Sequence, residues 1–221
     1  MPTRRRGVRT ADIISRPLSL TAVRPRAVAL VAATALLAAA PAALAHGRAH
    51  TRRGRGVVQA RPCAGANTSI PDAPPDLMRR AVLCLINDQR IAHGVPRLVA
   101  SAKLDRSAQG WTDSMVATDD FTHGDAFMNR ISAAGFDWST VGENIATGYD
   151  TPAAVVRAWM ASPGHCANIL DPGYREVGTG LSARRIPRAS PRPGTWTQDF
   201  GRLMGQPALS SDTGPANACY R

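Results

Sequence analysis

Cys63, Cys84, Cys166 and Cys219 are the only cysteines of the chain, and all four lie downstream of a segment built for export. Residues 1 to 45 hold seven Arg and one Asp, and Arg-rich residues 4 to 26 precede an uncharged run from Ala27 to Ala45. That run contains the apolar stretch Val28 to Ala40 and closes on Ala43-Leu44-Ala45. The order basic, apolar, small is that of a cleavable secretory signal, with cleavage expected after Ala45. The run is Ala-dominated, interrupted by Pro41 and short for a bilayer span. Disulfides persist in the compartment such a signal leads to, so the fold must bring four cysteines together as two pairs. Three pairings are open. Bonding Cys63 to Cys84 would pin an N-terminal extension to the first helix, and Cys166 to Cys219 would pin the C-terminal tail; local proximity favours this set without excluding Cys63 to Cys166. No C-x-x-C occurs, so neither a zinc ribbon nor a thioredoxin-like pair is supported.

The formal charge of +11 suggests nucleic acid until it is divided along the chain. Residues 1 to 45 carry +6 and residues 46 to 61 carry +5, while residues 62 to 221 have 15 basic and 15 acidic side chains. The domain itself is neutral and offers no net attraction to a phosphate backbone, so no nucleic-acid partner is expected. The basic extension and Arg184, Arg185, Arg188 and Arg192 point instead to contact with anionic polymers of a cell envelope. The expected organisation is a signal at 1–45, a basic, Pro-containing extension at 46–75, a folded domain at 76–205 and a tail at 206–221.

Order is expected after Pro74 and Pro75. Leu77, Ala81, Val82, Cys84, Leu85 and Ile86 recur at helical steps up to Gly94. A second helix fits Lys103 to Ala117, with Leu104, Ala108, Trp111 and Met115 on one stripe. A third, short one runs from Met128 to Ala134, and a fourth from Thr151-Pro152 to Ser162, before Pro163-Gly164. Val177, Thr179 and Leu181 share one face of a strand, and Trp196, Gln198 and Phe200 one face of another. The connection between them, Ser182 to Gly194, reads as too polar and too kinked to be core. Helices and strands do not alternate regularly, which favours an α+β layered domain.

Six motifs then fall in one order: Asn87-x-x-Arg90 with Gly94 and Leu98; Phe121-Thr122-His123; Gly142-Glu143-Asn144-Ile145-Ala146; Trp159-Met160-x-Ser162-Pro163-x-His165-x-x-Asn168-Ile169-Leu170; Glu176-Val177-Gly178-x-Gly180; and Trp196-Thr197-Gln198-Asp199-Phe200-Gly201. Together they closely resemble the CAP superfamily of cysteine-rich secretory, antigen 5 and pathogenesis-related proteins, in its bacterial SCP-like extracellular form. The resemblance covers residues 77 to 201. It implies a three-layer α-β-α sandwich with a small antiparallel sheet, secretion, and a cleft lined by two His and acidic residues. His123, Glu143 and His165 match three members of the family's cleft tetrad. Ser162 stands where animal and plant relatives carry the second Glu, so a four-ligand site like theirs lacks one member here.

Two imidazoles and a carboxylate form a His₂Glu set suited to zinc with an open water position. The same trio also suits a hydrogen-bonded network that rigidifies the cleft. No G-x-S-x-G surrounds a serine, and Cys166, next to His165, is expected in a disulfide, so neither a serine nor a cysteine hydrolase has its nucleophile. Asn168, three residues after His165, is expected to orient the turn. His93 reads as a helix-end partner, and Trp111 and Trp159 as core. Two functions remain. One is a non-enzymatic, monomeric binding module whose cleft, with His123, Glu143, His165, Asn168 and Ser162, takes a lipid, a glycan, a cell-wall component or a protein. The alternative is a metal-dependent hydrolase, possibly a protease, using the same trio.

Overall fold

The structure, a computed structural model, describes residues 62–207 and 218–219. The expected signal, residues 46–61 of the extension and most of the tail lie outside the described residues. Among the described residues no helix is long and apolar enough to cross a membrane.

Helix α1 (Pro75–Ala92) starts with proline at its first position and Asp76 in its first turn, both favoured at a helix N-terminus. It buries Met78, Val82 and Ile86, one side of its period. At its end His93 is the C-cap, and its Nδ1 lies 2.7 Å from the Gln89 carbonyl oxygen. The two-residue strand β1 (Val99–Ala100) leads into α2 (Ala102–Thr118), which buries Leu104, Ala108 and Met115. After α3 (Phe127–Ala133) comes β2 (Trp138–Thr147). Helix α4 (Pro152–Met160) is capped by Thr151, whose hydroxyl accepts from the Ala154 amide at 3.2 Å. Pro163 both follows one helix and opens the next, α5 (Pro163–Leu170). Strands β3 (Glu176–Ser182) and β4 (Thr195–Leu203) complete the chain order.

The sheet order is β1-β3-β4-β2. β4 pairs antiparallel with both β2 and β3, whereas β1 runs parallel to β3, so the expected antiparallel sheet carries one parallel edge. One face takes α1, α4 and α5, whose Val82, Ile86, Val155, Trp159 and Ile169 pack with Val177, Trp196 and Phe200. The other takes α2 and α3, with Gly178 and Gly180 lying against α2. This is the α+β, three-layer arrangement expected.

Asn87 and Arg90 of the first motif are fasteners. The Asn87 amide donates to the Leu98 carbonyl at 3.0 Å and its oxygen accepts from the Leu98 amide at 2.8 Å. Buried Arg90 donates to the carbonyls of Pro96, Ile169 and Asp171, tying α1 to the end of α5. That satisfies orphan carbonyls of the helix terminus.

Both disulfides take the favoured pairing, Cys63–Cys84 and Cys166–Cys219, across 21 and 53 residues. By loop-closure entropy each contributes about 3 to 4 kcal/mol. Pro62 onward, read as extension, is packed: the Ile70 amide donates to Asp150, the Ala153 amide to Ala66, and Ile70 is buried in a 3₁₀ turn, Ile70–Asp72. The 182–194 connection also departs from expectation. Its Ile186 is fully buried with Met115, Val116 and Ile145, one apolar side chain anchoring an otherwise polar loop.

Candidate functional site

A cleft of about 670 Å³ opens where the 121–123 turn, the end of β2 and helices α4 and α5 meet. His123, Ser162 and His165 bring polar groups into it, and Phe121, Tyr149 and Trp159 supply aromatic wall. Glu143 and Asn168 do not line it. Asn168 sits behind, its amide donating to the Glu143 carbonyl at 3.1 Å and to Asn144 Oδ1 at 2.9 Å. Asn144 in turn donates to the carbonyl of His165 at 3.3 Å. These amides fasten α5 to β2. Burial, with His123 nearby, holds the His165 imidazole below its ordinary pKa and favours the neutral ring.

His123 is placed from the other side. Gly124 has φ 63°, and a Cβ there would meet Trp111 at 2.9 Å, so the turn can close onto that indole only with glycine. The Trp111 Nε1 donates to the Thr122 carbonyl at 2.9 Å. The Arg130 guanidinium lies over the Trp111 ring, 3.8 Å from its centroid, and donates to the His123 carbonyl at 3.1 Å. Trp111, read as core, is therefore also a cation platform.

Glu143 is where these groups converge. Its side chain is 2% exposed, His123 Nδ1 lies 2.8 Å from Oε1, and Arg130 Nη2 donates to Oε2 at 2.5 Å. Both carboxylate oxygens are thus engaged, one by a permanent cation. The ligand atoms of His123, Glu143 and His165 do not all come within 4.8 Å of one another. The only such set among the described residues is Cys63, Cys84 and Asp88, whose sulfurs are joined to each other. The expected His123/Glu143/His165 metal set therefore does not fit a single ion as arranged: the carboxylate that should ligate it already neutralises Arg130, and an added divalent cation would face that guanidinium. As arranged, His123, Glu143 and Arg130 form one hydrogen-bonded network.

Asp199 belongs to the same cluster. It lies directly across the ladder from Glu143, is 1% exposed, and its Oδ1 has no partner among the described residues. Burial pushes its carboxyl up to about 8; Glu143 adds to the push, while Ser107 and Arg130 offset part of it. Asp199 therefore keeps its proton well above the ordinary carboxylate range. Unfolded, it ionises near 3.8, so between about 4 and 8 the folded state holds more protons than the unfolded one and stability falls as pH rises. Asp199→Asn should flatten that fall: across thermal melts from pH 4 to 8, the variant should gain on the wild type as pH increases. Parallel curves would show that Asp199 is not a buried neutral acid.

Neither Arg130 nor Asp199 was among the residues expected at the site. Both were in view, Arg130 within a short helix and Asp199 within a quoted motif. The available signal was Glu143 itself, since a buried carboxylate requires a counter-charge or a shared proton.

Residues 83–200 match the model of the cysteine-rich secretory protein family, CAP. Among curated proteins, the chain is 34% identical over 126 residues to the uncharacterized protein YkwD of Bacillus subtilis, covering 55% of this chain and 46% of that one. It is 28% identical over 109 residues to the uncharacterized membrane protein YlbC of the same bacterium, covering 48% of this chain and 32% of the relative. The chain thus spans less than half the length of either. Of solved structures, an extracellular SCP-domain protein from Bacillus anthracis aligns with a TM-score of 0.49 and 23% identity, over 59% of this chain and 44% of that one. An outer surface protein of Borrelia burgdorferi aligns with a TM-score of 0.49 and 18% identity, over 55% of this chain and 90% of that one. The family model spans more than half of the chain, from the first helix through the last strand, and on that match the chain belongs to the cysteine-rich secretory protein (CAP) family.

Proposed function

We propose that this chain is an extracellular, non-enzymatic binding module whose cleft takes a small ligand, a lipid, glycan or cell-wall component. The observation that carries the reading is the cleft's construction. It is concave and more apolar than polar, its walls are fixed by hydrogen bonds to backbone, and the nearby acid is committed to Arg130 rather than presented to a substrate. Among the described residues neither cleft imidazole is hydrogen-bonded to a Ser, Thr or Cys side chain, the pairing that activates a nucleophile. Two disulfides and family membership support an extracellular setting.

The experiment is mass-spectrometric identification of small molecules that co-purify with the exported protein, compared with Ala158→Trp. Ala158 lines the cleft from α4, so the larger ring should fill it. Loss of the co-purifying molecule with an unchanged melting temperature is the expected result. Turnover of a peptide or ester substrate that disappears in His165→Ala would overturn the proposal in favour of an enzyme.

A further inference from the structure

We infer that the cleft adjoins an anion subsite formed by Arg157 and Arg192, and that the ligand is an anionic saccharide whose carboxylate or phosphate sits there. The inference rests on the binding-module reading and names the ligand class of the same site. A second chamber of about 380 Å³ shares Tyr149 and Ala158 with the cleft, so the two cavities lie side by side against those residues. Arg157 comes from α4 and Arg192 from the 182–194 connection.

Two other arginines of that connection are occupied. Arg188 pairs with Asp119 at 3.3 Å, and Arg185 donates to the Pro191 carbonyl at 3.2 Å. Among the described residues the side chains of Arg157 and Arg192 have no hydrogen-bond or ion-pair partner. Asp150 also lines the chamber, but its Oδ2 already accepts from Ser69 at 3.3 Å, and the chamber keeps a net positive charge. Two planar cations lining one cavity are suited to carboxylate or phosphate oxygens.

The shared wall is held in advance. The Trp196 indole donates to the Tyr149 carbonyl at 2.6 Å, and Gly194 lies so close that an added Cβ would fall 1.9 Å from that same oxygen. On the far side the Arg192 amide donates to Ser190 Oγ at 3.1 Å. The residues between the chambers are therefore part of the rigid frame, which lowers the ordering cost of a ligand that spans them.

The cleft's lining selects a sugar over an acyl chain. Thr122, His123, Thr147, Tyr149, Ser162 and His165 distribute hydroxyl, phenol and imidazole groups among its apolar residues. An acyl chain would cover these groups without replacing their water, whereas a ring bearing hydroxyls can pair with them and lay its C–H face on the aromatic wall.

The test uses the full chain and two matched pairs of probes in calorimetric titrations. One pair is the N-acetylglucosamine disaccharide against N-acetylglucosaminyl-N-acetylmuramic acid, which adds a carboxylate. The other is N-acetylglucosamine against its 6-phosphate. In at least one pair the charged member should bind about tenfold tighter at low salt, an advantage that shrinks as salt screens it. The pair with the wider gap identifies the anion. Arg157→Gln with Arg192→Gln should level the pair at unchanged melting temperature, and Arg157→Lys with Arg192→Lys should restore part of the gap. Equal affinities within both pairs, or a gap that survives the double Gln variant, would overturn the inference. If no saccharide binds while oleate does, the anionic saccharide fails and the binding module stands. If neither binds and nothing co-purifies, both fail.

Discussion

Gly180→Ala should leave the domain unfolded or at least about 3 kcal/mol less stable, the upper range for overpacking. The methyl would lie 2.2 Å from the Ala108 carbonyl oxygen and 2.4 Å from its carbon. At Gly178 the corresponding contacts are the Asp105 amide and the Leu104 carbonyl carbon, both at 2.1 Å. These are backbone atoms of α2, so no side chain can rotate out of the way. The helix would have to lift off β3 and would strain the bonds that join it to the sheet: Asp105 to the Thr179 amide of β3 at 2.8 Å, and Thr112 to Thr197 of β4 at 2.8 Å. Gly164→Ala is the control, because a Cβ there meets nothing within 4 Å and alanine suits helix α5. Denaturant titration of both variants checks the prediction, and a Gly180→Ala midpoint equal to wild type would refute it.

Arg130→Ala should cost about 3 to 5 kcal/mol near neutral pH, the range for removing one member of a buried ion pair. The cost arises from what remains. Glu143 keeps a 2%-exposed carboxylate with Asp199 opposite and only His123 as partner, and Trp111 loses the cation on its face. A buried carboxylate stripped of its counter-charge is relieved by taking up a proton. The penalty should then be smallest in acid and grow as pH rises through the carboxylate range. Adding Glu143→Gln should recover part of the loss, a coupling that a double-mutant cycle reads directly. A pH-independent loss, or additive single effects, would show that Arg130 acts through packing alone.

The helical half of this fold was legible because its side chains obey one period. Met78, Val82 and Ile86, or Leu104, Ala108 and Met115, stand on single buried stripes, and the apolar spacing alone predicts the helix. Strand β2 carries no such pattern. From Gly142 to Ala146 it is buried on both faces, and its core positions include Glu143 and Asn144, so neither alternation nor apolarity marks it. The motif from Gly142 to Ala146 marked the segment, but no strand was expected there. The site divides similarly. His123, Ser162 and His165 were identified by their motifs and do share the cleft. Glu143 was identified too, but its partner was not, because Arg130 reaches it across a tertiary contact that no local spacing encodes. Ile186 escaped for the opposite reason, a lone apolar residue in a polar loop having no period to belong to.

The second disulfide sets an order of events for a chain that emerges N-terminus first. Cys166 is the neighbour of His165 on the helix that walls the cleft, and its partner comes 53 residues later, beyond β3 and β4. The bond can close only after the whole sheet has appeared, so the wall of the cleft is the last part of the domain to be locked. Until then α5 is held by the packing of Ile169 and Leu170 and by the hydrogen bonds of Asn144, Asn168 and Arg90. A newly made chain in a reducing environment would therefore carry the cleft residues in an unlatched frame, and oxidation would act as the finishing step of the binding surface.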